Sequence, residues 1–251
     1  MDPIDFTTHD KFINFPPLYT EQVNNVTLSK QLDIWHKIIN DDVTNNFKLY
    51  SLGTHSIDAP PFKNLHIHRN LNVAFLALIL EYLVEKKYAF YLHPIHLYCK
   101  NNNVTIWGAL FANKKRLGSN LLQLHEEYGR TLDSGPRKSP RNQDEVDMLK
   151  KRRDVLMKSN YKFGLFPYPL ADMVDAVLGC IKSQCSNREI ETVYYIFYNK
   201  RECNKDFNGF PEDHLAFLLS YLCSCNKISL SFNESIPPSS LNNKNVGIQL
   251  V

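Results

Sequence analysis

Asn72-Val73-Ala74-Phe75-Leu76-Ala77-Leu78-Ile79-Leu80-Glu81-Tyr82-Leu83-Val84-Glu85-Lys86-Lys87, running on into Tyr88-Ala89-Phe90-Tyr91-Leu92, is the stretch on which the fold turns. Asn72 is a natural N-cap, and Val73, Leu76, Leu80, Leu83 and Val84 share one face of a helix that reaches Lys87. Tyr88 to Leu92 is rich in aromatic residues and reads as a strand closed by Pro94. Upstream, Leu28, Leu32, Trp35 and Ile39 line one face of an earlier helix, with Thr27 as its N-cap. Between the two helices, Phe47 to Leu52 predicts a short strand ending at Gly53, and Phe62 to Leu71 a short helix. Helix, strand, helix, helix, strand is the order of a winged helix, the helix-turn-helix variant with a hairpin wing.

The same order returns further on. Leu170 to Lys182 predicts a helix, with Met173, Val174, Val177, Leu178 and Ile181 clustered on one face. Glu191 to Tyr198 is rich in β-branched and aromatic residues and reads as a strand. Pro211 suits a first helical turn, followed by Glu212 and Asp213 where negative charge is favoured, and the helix continues through Leu222. Ile228 to Phe232 and Val246 to Val251 form a hairpin around a wide loop holding Pro237 and Pro238. No middle helix is visible in this second pass.

Charge separates the two halves. From Ala112 to Lys158 there are twelve Lys or Arg against seven Asp or Glu, while the rest of the chain has seventeen against nineteen. All of the net charge of +3 therefore comes from one segment. It holds Lys114-Lys115-Arg116, a Gly/Pro/Ser/Arg-rich turn from Ser134 to Arg141, and Lys150-Lys151-Arg152-Arg153. Leu117 to Tyr128 and Asp144 to Met157 have helical periodicity. The segment reads as an insertion whose turn is solvated and contributes little to stability.

Near the beginning lies Phe15-Pro16-Pro17-Leu18-Tyr19, in a run from Ile13 to Thr20 that carries no charge. Paired prolines hold the chain stiff and argue for extended rather than helical geometry. A stiff apolar segment loses little entropy on docking into a groove, which makes it a candidate partner-binding peptide. It could equally fold back and cap its own core. Pro16-Pro17-Leu18-Tyr19 also has the PPxY form that WW domains bind, a short pattern of low specificity.

Several classes are excluded or disfavoured. No apolar leader opens the sequence, and Val73 to Leu80 is far shorter than the ~20 residues of a membrane span. The cysteines Cys99, Cys180, Cys185, Cys203, Cys223 and Cys225 form no CxxC pair and suit reduced thiols of a cytosolic protein. Catalytic and nucleotide-binding motifs (GxSxG, GxGxxG, a phosphate-binding loop) are missing, so no enzyme and no cofactor is expected. His93, His96 and Cys99, with His66 and His68 upstream, lack a clear fourth ligand; Pro94 points to strand and wing there, and no metal is expected. A DNA-reading winged helix needs Arg, Lys, Asn or Gln on the helix that enters the groove. Here those helices carry Glu81 and Glu85, or Glu212 and Asp213, which disfavours specific nucleic acid.

The residues Phe15-Pro16-Pro17-Leu18-Tyr19, Asn24, Thr27, Gln31 and Ile34-Trp35-His36-Lys37-Ile38-Ile39 resemble the amino terminus of the vacuolar protein sorting-associated protein 25 family, the small subunits of the ESCRT-II endosomal sorting complex. Val246-Gly247-Ile248-Gln249-Leu250-Val251 is similar to that family's last strand. The resemblance covers roughly 12–93 and 163–251, and the basic segment departs from it. It implies an α+β fold of two tandem winged helices with a basic, partly helical insertion in the first wing. The expected divisions are a docking segment at 1–26, a first winged helix at 27–165 with the insertion at about 112–158, and a second at 166–251.

By the same resemblance, the chain would be a non-enzymatic adaptor that links ESCRT-II core subunits to an ESCRT-III subunit. That adaptor acts in sorting ubiquitinated membrane proteins into multivesicular endosomes. Two copies would join larger winged-helix core subunits through Phe15, Pro16, Pro17, Leu18 and Tyr19, and the second winged helix would face ESCRT-III. The protein would be cytoplasmic, reaching the endosome membrane only peripherally. Replacing Pro16, Pro17 and Tyr19 by Ala is then expected to abolish assembly and leave the fold intact. The competing class is a winged-helix DNA-binding or transcription-regulatory protein.

Overall fold

Helix α1 (Asn25–Asn46) starts ahead of Thr27 because Asn24 caps it. The Asn24 Oδ1 accepts from the backbone N–H groups of Val26 at 2.9 Å and Thr27 at 3.2 Å. The computed structural model describes residues 12–46, 51–111, 120–132, 146–147, 149–151, 153, 161–185, 190–199, 207 and 210–251. Most of the strand expected at 47–52 and the turn expected at 134–141 lie outside the described residues. The chain divides into two units, Met1–Tyr91 with Arg130–Tyr168, and Leu92–Gly129 with Pro169–Val251.

In the first unit, α1 is followed by β1 (Ser51–Gly53), the two-residue strands β2 (Lys63–Asn64) and β3 (Arg69–Asn70), helix α2 (Val73–Glu85) and β4 (Ala89–Tyr91). Asn72 caps α2 as expected, its Oδ1 accepting from Phe75 N–H at 2.6 Å. Every residue of α2 from Phe75 to Val84 is buried. The sheet closes only with β5 (Lys162–Leu165), giving the antiparallel order β1-β5-β4 with Leu52 opposite Phe163 and Phe90 opposite Gly164. Residues 62–71 form the β2–β3 hairpin instead of a helix. Asn64 Oδ1 accepts from His66 N–H at 2.9 Å and His68 takes a φ of 51°, two local preferences that break a helical path.

The second unit begins inside the first wing. Helices α3 (His93–Asn102) and α4 (Ile106–Leu110) precede α5 (Asn120–Leu132), whose first turns belong here. His93–Asn102 is thus a helix rather than wing strand: Pro94 sits in its first turn, where a missing N–H costs nothing. After β5 come α6 (Leu170–Gln184), β6 (Glu191–Thr192), α7 (Val193–Phe197), α8 (Glu212–Ser224), β7 (Ile228–Phe232) and β8 (Val246–Leu250). The expected strand over 191–198 keeps only its first two residues. Thr192 then caps α7, accepting from Tyr195 N–H at 3.2 Å, and this is the middle helix that the sequence concealed.

The second sheet has the antiparallel order β6-β8-β7. In both sheets the last strand lies between the first and the second, so one winged-helix topology occurs twice in an α+β chain. The helix-to-strand turns repeat as well. Tyr88 N–H bonds Leu83 O and Lys227 N–H bonds Leu222 O, with Lys87 (φ 67°) and Asn226 (φ 53°) in the left-handed region between.

The basic segment lies between two strands of the first sheet. The chain leaves β4 at Tyr91 and returns at Lys162, so residues 92–161 separate the two wing strands, and 92–129 group with the second unit. Leu121, Val146 and Leu149 are buried, so its flanks are packed rather than solvated. Among the described residues no helix is long and apolar enough to cross a membrane.

Candidate partner-docking site

Pro16–Tyr19 forms a single turn of 3-10 helix, against the expectation of an extended peptide. The prolines occupy its first two positions, where no N–H is called on and a φ near −65° already fits. Phe15, ahead of Pro16, does take the extended conformation that proline imposes on its predecessor, with φ −94° and ψ 105°.

Side chains from α1 and the hairpin hold this turn. Gln31 is buried and its Nε2 donates to three carbonyls, those of Leu18 and Thr20 at 2.9 Å and Pro17 at 3.1 Å. Trp35 Nε1 donates to Leu18 O at 3.1 Å, and its ring meets Tyr19 edge-on with centroids 5.6 Å apart. The Tyr19 hydroxyl donates to Ile13 O at 3.1 Å, with Pro61 O at 3.4 Å. Asn64 Nδ2 reaches Ile13 O and Asn14 Oδ1, both at 3.1 Å. Burial pushes the Tyr19 phenol above its ordinary value, partly offset by Asn64, so the group stays a neutral donor.

The five residues expected to face a partner therefore divide. Leu18 and Tyr19, each 3% exposed, sit in the protein's own core. Phe15 is 54% exposed, and Pro16 and Pro17 are exposed with it. Phe12, Val23 and Val26 are further exposed apolar residues near this edge that the sequence reading did not single out. The substitution Tyr19→Ala would now be expected to damage the fold as well as any docking. A WW-type reading of Pro16-Pro17-Leu18-Tyr19 is disfavoured, because that mode needs the tyrosine free.

The other candidates resolve into packing. His96 Nε2 lies 3.0 Å from Asp213 Oδ2, and Cys99 Sγ donates to Thr105 O at 3.7 Å. Among the described residues no group of His, Cys, Asp and Glu could hold a metal. Both helices that a DNA reader would present are covered. The α8 residues His214 to Ser220 and Leu222 are buried, and Glu81 on α2 is fully buried, accepting from Tyr91 Oη–H at 2.9 Å. Lys114 to Arg116 lie outside the described residues. Lys150 and Arg153 both approach Glu21.

Residues 12–132 match the family described as ESCRT-II complex subunit. Over 74 residues the chain is 36% identical to vacuolar protein-sorting-associated protein 25 of Xenopus laevis, a match covering 29% of this chain and 42% of that relative. Among solved structures, the chain is similar to subunit VPS25 of the endosomal trafficking complex ESCRT-II, with a TM-score of 0.56, 17% identity, and coverage of 95% of this chain and 96% of that one. A structure of the endosomal complex ESCRT-II (VPS22/VPS25/VPS36) matches with a TM-score of 0.53 and 16% identity, over 95% and 96% of the two chains. The likeness read from residues 15–39 is thereby borne out, and the structural matches carry the fold across both units.

Proposed function

We propose that this protein is the small subunit of an ESCRT-II-type complex, a non-enzymatic adaptor assembled with larger winged-helix core subunits. One observation carries the reading. Phe15, Pro16 and Pro17 are held at the surface by a turn whose other half, Leu18 and Tyr19, is anchored on Gln31 and Trp35. Such an edge is ordered before it meets a partner, so docking costs little further entropy. It also lies within the stretch that matches the ESCRT-II family. In this reading two copies join each core, the second winged helix faces an ESCRT-III subunit, and the protein reaches endosomal membranes peripherally.

Burial of the helix faces that would read bases argues against the DNA-binding alternative. The test is co-expression with ESCRT-II core subunits, comparing the wild-type chain with Phe15→Ala/Pro16→Ala/Pro17→Ala. Loss of co-elution with an unchanged melting temperature is the expected result. Co-elution of the triple variant at wild-type stoichiometry sinks the assignment of this edge.

A further inference from the structure

Glu21 lies just past the docking turn, and its carboxylate meets two cations from a segment more than a hundred residues away. Arg153 Nη1 donates to Glu21 Oε2 at 2.8 Å, and Lys150 Nζ stands 4.0 Å from Oε1. The pair is partly shielded, with side-chain exposures of 17% for Arg153 and 24% for Glu21. Shielding and a short charge-assisted bond lift it above the usual surface ion pair. Lys150 and Arg153 stand close in the chain to Val146 and Leu149, both of which are buried.

We propose that this part of the basic insertion is a brace for the docking edge, with Arg153 and Lys150 as positioning residues that act through Glu21. A second lever acts on the same backbone. Gln22, next in the chain, donates its N–H to Gln31 Oε1, and its own Nε2 donates to Thr20 O at 2.9 Å. Fixing Glu21 therefore fixes the exit of the turn that presents Phe15, Pro16 and Pro17. Without the brace, the turn stays tethered by Gln31 and Trp35 but opens more often, and the binding-competent arrangement is less populated. The insertion thus tunes the strength of docking without touching the partner. The affinity part of this inference rests on the docking role proposed above, and the brace itself does not.

Hydrogen exchange of the full chain, followed by mass spectrometry over residues 12–24, separates the two. The amides of Leu18, Thr20 and Gln22 are hydrogen-bonded here and report opening. Arg153→Glu and Glu21→Arg should each speed their exchange, roughly three- to tenfold for a pair of this shielding. Glu21→Arg combined with Arg153→Glu should restore slow exchange, a rescue that simple loss of packing would not give. Unchanged exchange in the single variants, or no rescue in the double, overturns the brace. Affinity for co-expressed core subunits should fall and recover in parallel. If exchange changes while affinity does not, the tuning role is wrong. If the wild-type chain binds no core subunit, the docking role fails and the brace is still judged by exchange.

Discussion

Gly108 and Pro238 approach each other more closely than side chains permit: a Cβ on Gly108 would stand 2.1 Å from the Pro238 carbonyl oxygen. The contact is reinforced on either side. Thr105 donates its N–H to Pro238 O at 3.2 Å and its Oγ1–H to Leu241 O at 2.7 Å, while Trp107 Nε1 donates to Glu212 Oε2 at 2.6 Å. The stretch just ahead of the basic segment, Thr105 to Gly108, is therefore seated on the loop and the last helix of the second unit.

Gly108→Ala should consequently lower the melting temperature, because backbone must move to admit one methyl group, at a cost of about 1–3 kcal/mol. Gly179→Ala is the control. It lies in α6 with nothing within 4 Å of its would-be Cβ, and should be stabilising by up to ~1 kcal/mol through helix propensity. Thermal unfolding of both variants checks the contrast, and equal effects of the same sign would contradict it.

Tyr19 and Phe15, four residues apart, should behave oppositely. Tyr19→Ala empties a buried aromatic site against Trp35 and should cost ~3–5 kcal/mol of stability. Tyr19→Phe keeps the ring and should cost about 1 kcal/mol for the lost hydroxyl bonds. Phe15→Ala should leave the denaturant midpoint within about 0.5 kcal/mol of wild type, as at other exposed positions. A large loss of stability in Phe15→Ala would show that this ring, too, belongs to the core.

His36 should make stability depend on pH. Its ring packs against Tyr88 with centroids 4.1 Å apart, and burial lowers its pKa below 6.5; Asp33 and Asp41 pull upward, while Lys86 and Lys37 add to the lowering. In the window between the folded value and the unfolded one, the unfolded chain binds more protons. Stability is thus present above roughly pH 6.5 and declines as pH falls through that window. His36→Gln should flatten the slope in urea titrations at a series of pH values. An identical slope in the variant would remove His36 as its source.

The thiols should differ in reactivity. Burial pushes Cys223 up to about 12, and burial with the nearby Asp213 pushes Cys99 up to about 11, whereas Cys225 is exposed. Brief alkylation of the folded protein at neutral pH should mark Cys225 well before Cys99 or Cys223 in peptide mapping. Early labelling of Cys223 would mean that α8 opens readily.

What could be read from the sequence follows from how local its causes are. The Asn72 cap, the apolar face of α2 and the β7–β8 hairpin depend on neighbours in the chain, and all were legible. Helix α7 was hidden because Val193 to Phe197 prefer strand, and only the Thr192 cap and surrounding packing override that preference. Strand β5 escaped notice because its partners, Leu52 and Phe90, lie far back in the chain. Phe15 to Tyr19 stood out in the sequence as one apolar, proline-paired set. Which of them face inward was not legible, since Gln31 and Trp35 decide it through long-range hydrogen bonds.

The passage of residues 92–129 into the second unit has a consequence for the order in which a ribosome releases the chain. When Tyr91 emerges, the first sheet still lacks its central strand, which is not made until Lys162–Leu165. The pieces destined for the second unit are synthesised in that interval, before the helices that will receive them. The nascent chain must therefore keep two unfinished cores from meeting for some seventy residues, a delay that exposes apolar surface and invites chaperones. Cutting the gene at the apparent border near residue 166 would leave the second fragment without residues 92–129, so the second unit should be expressed with those residues rather than as a simple carboxyl-terminal half.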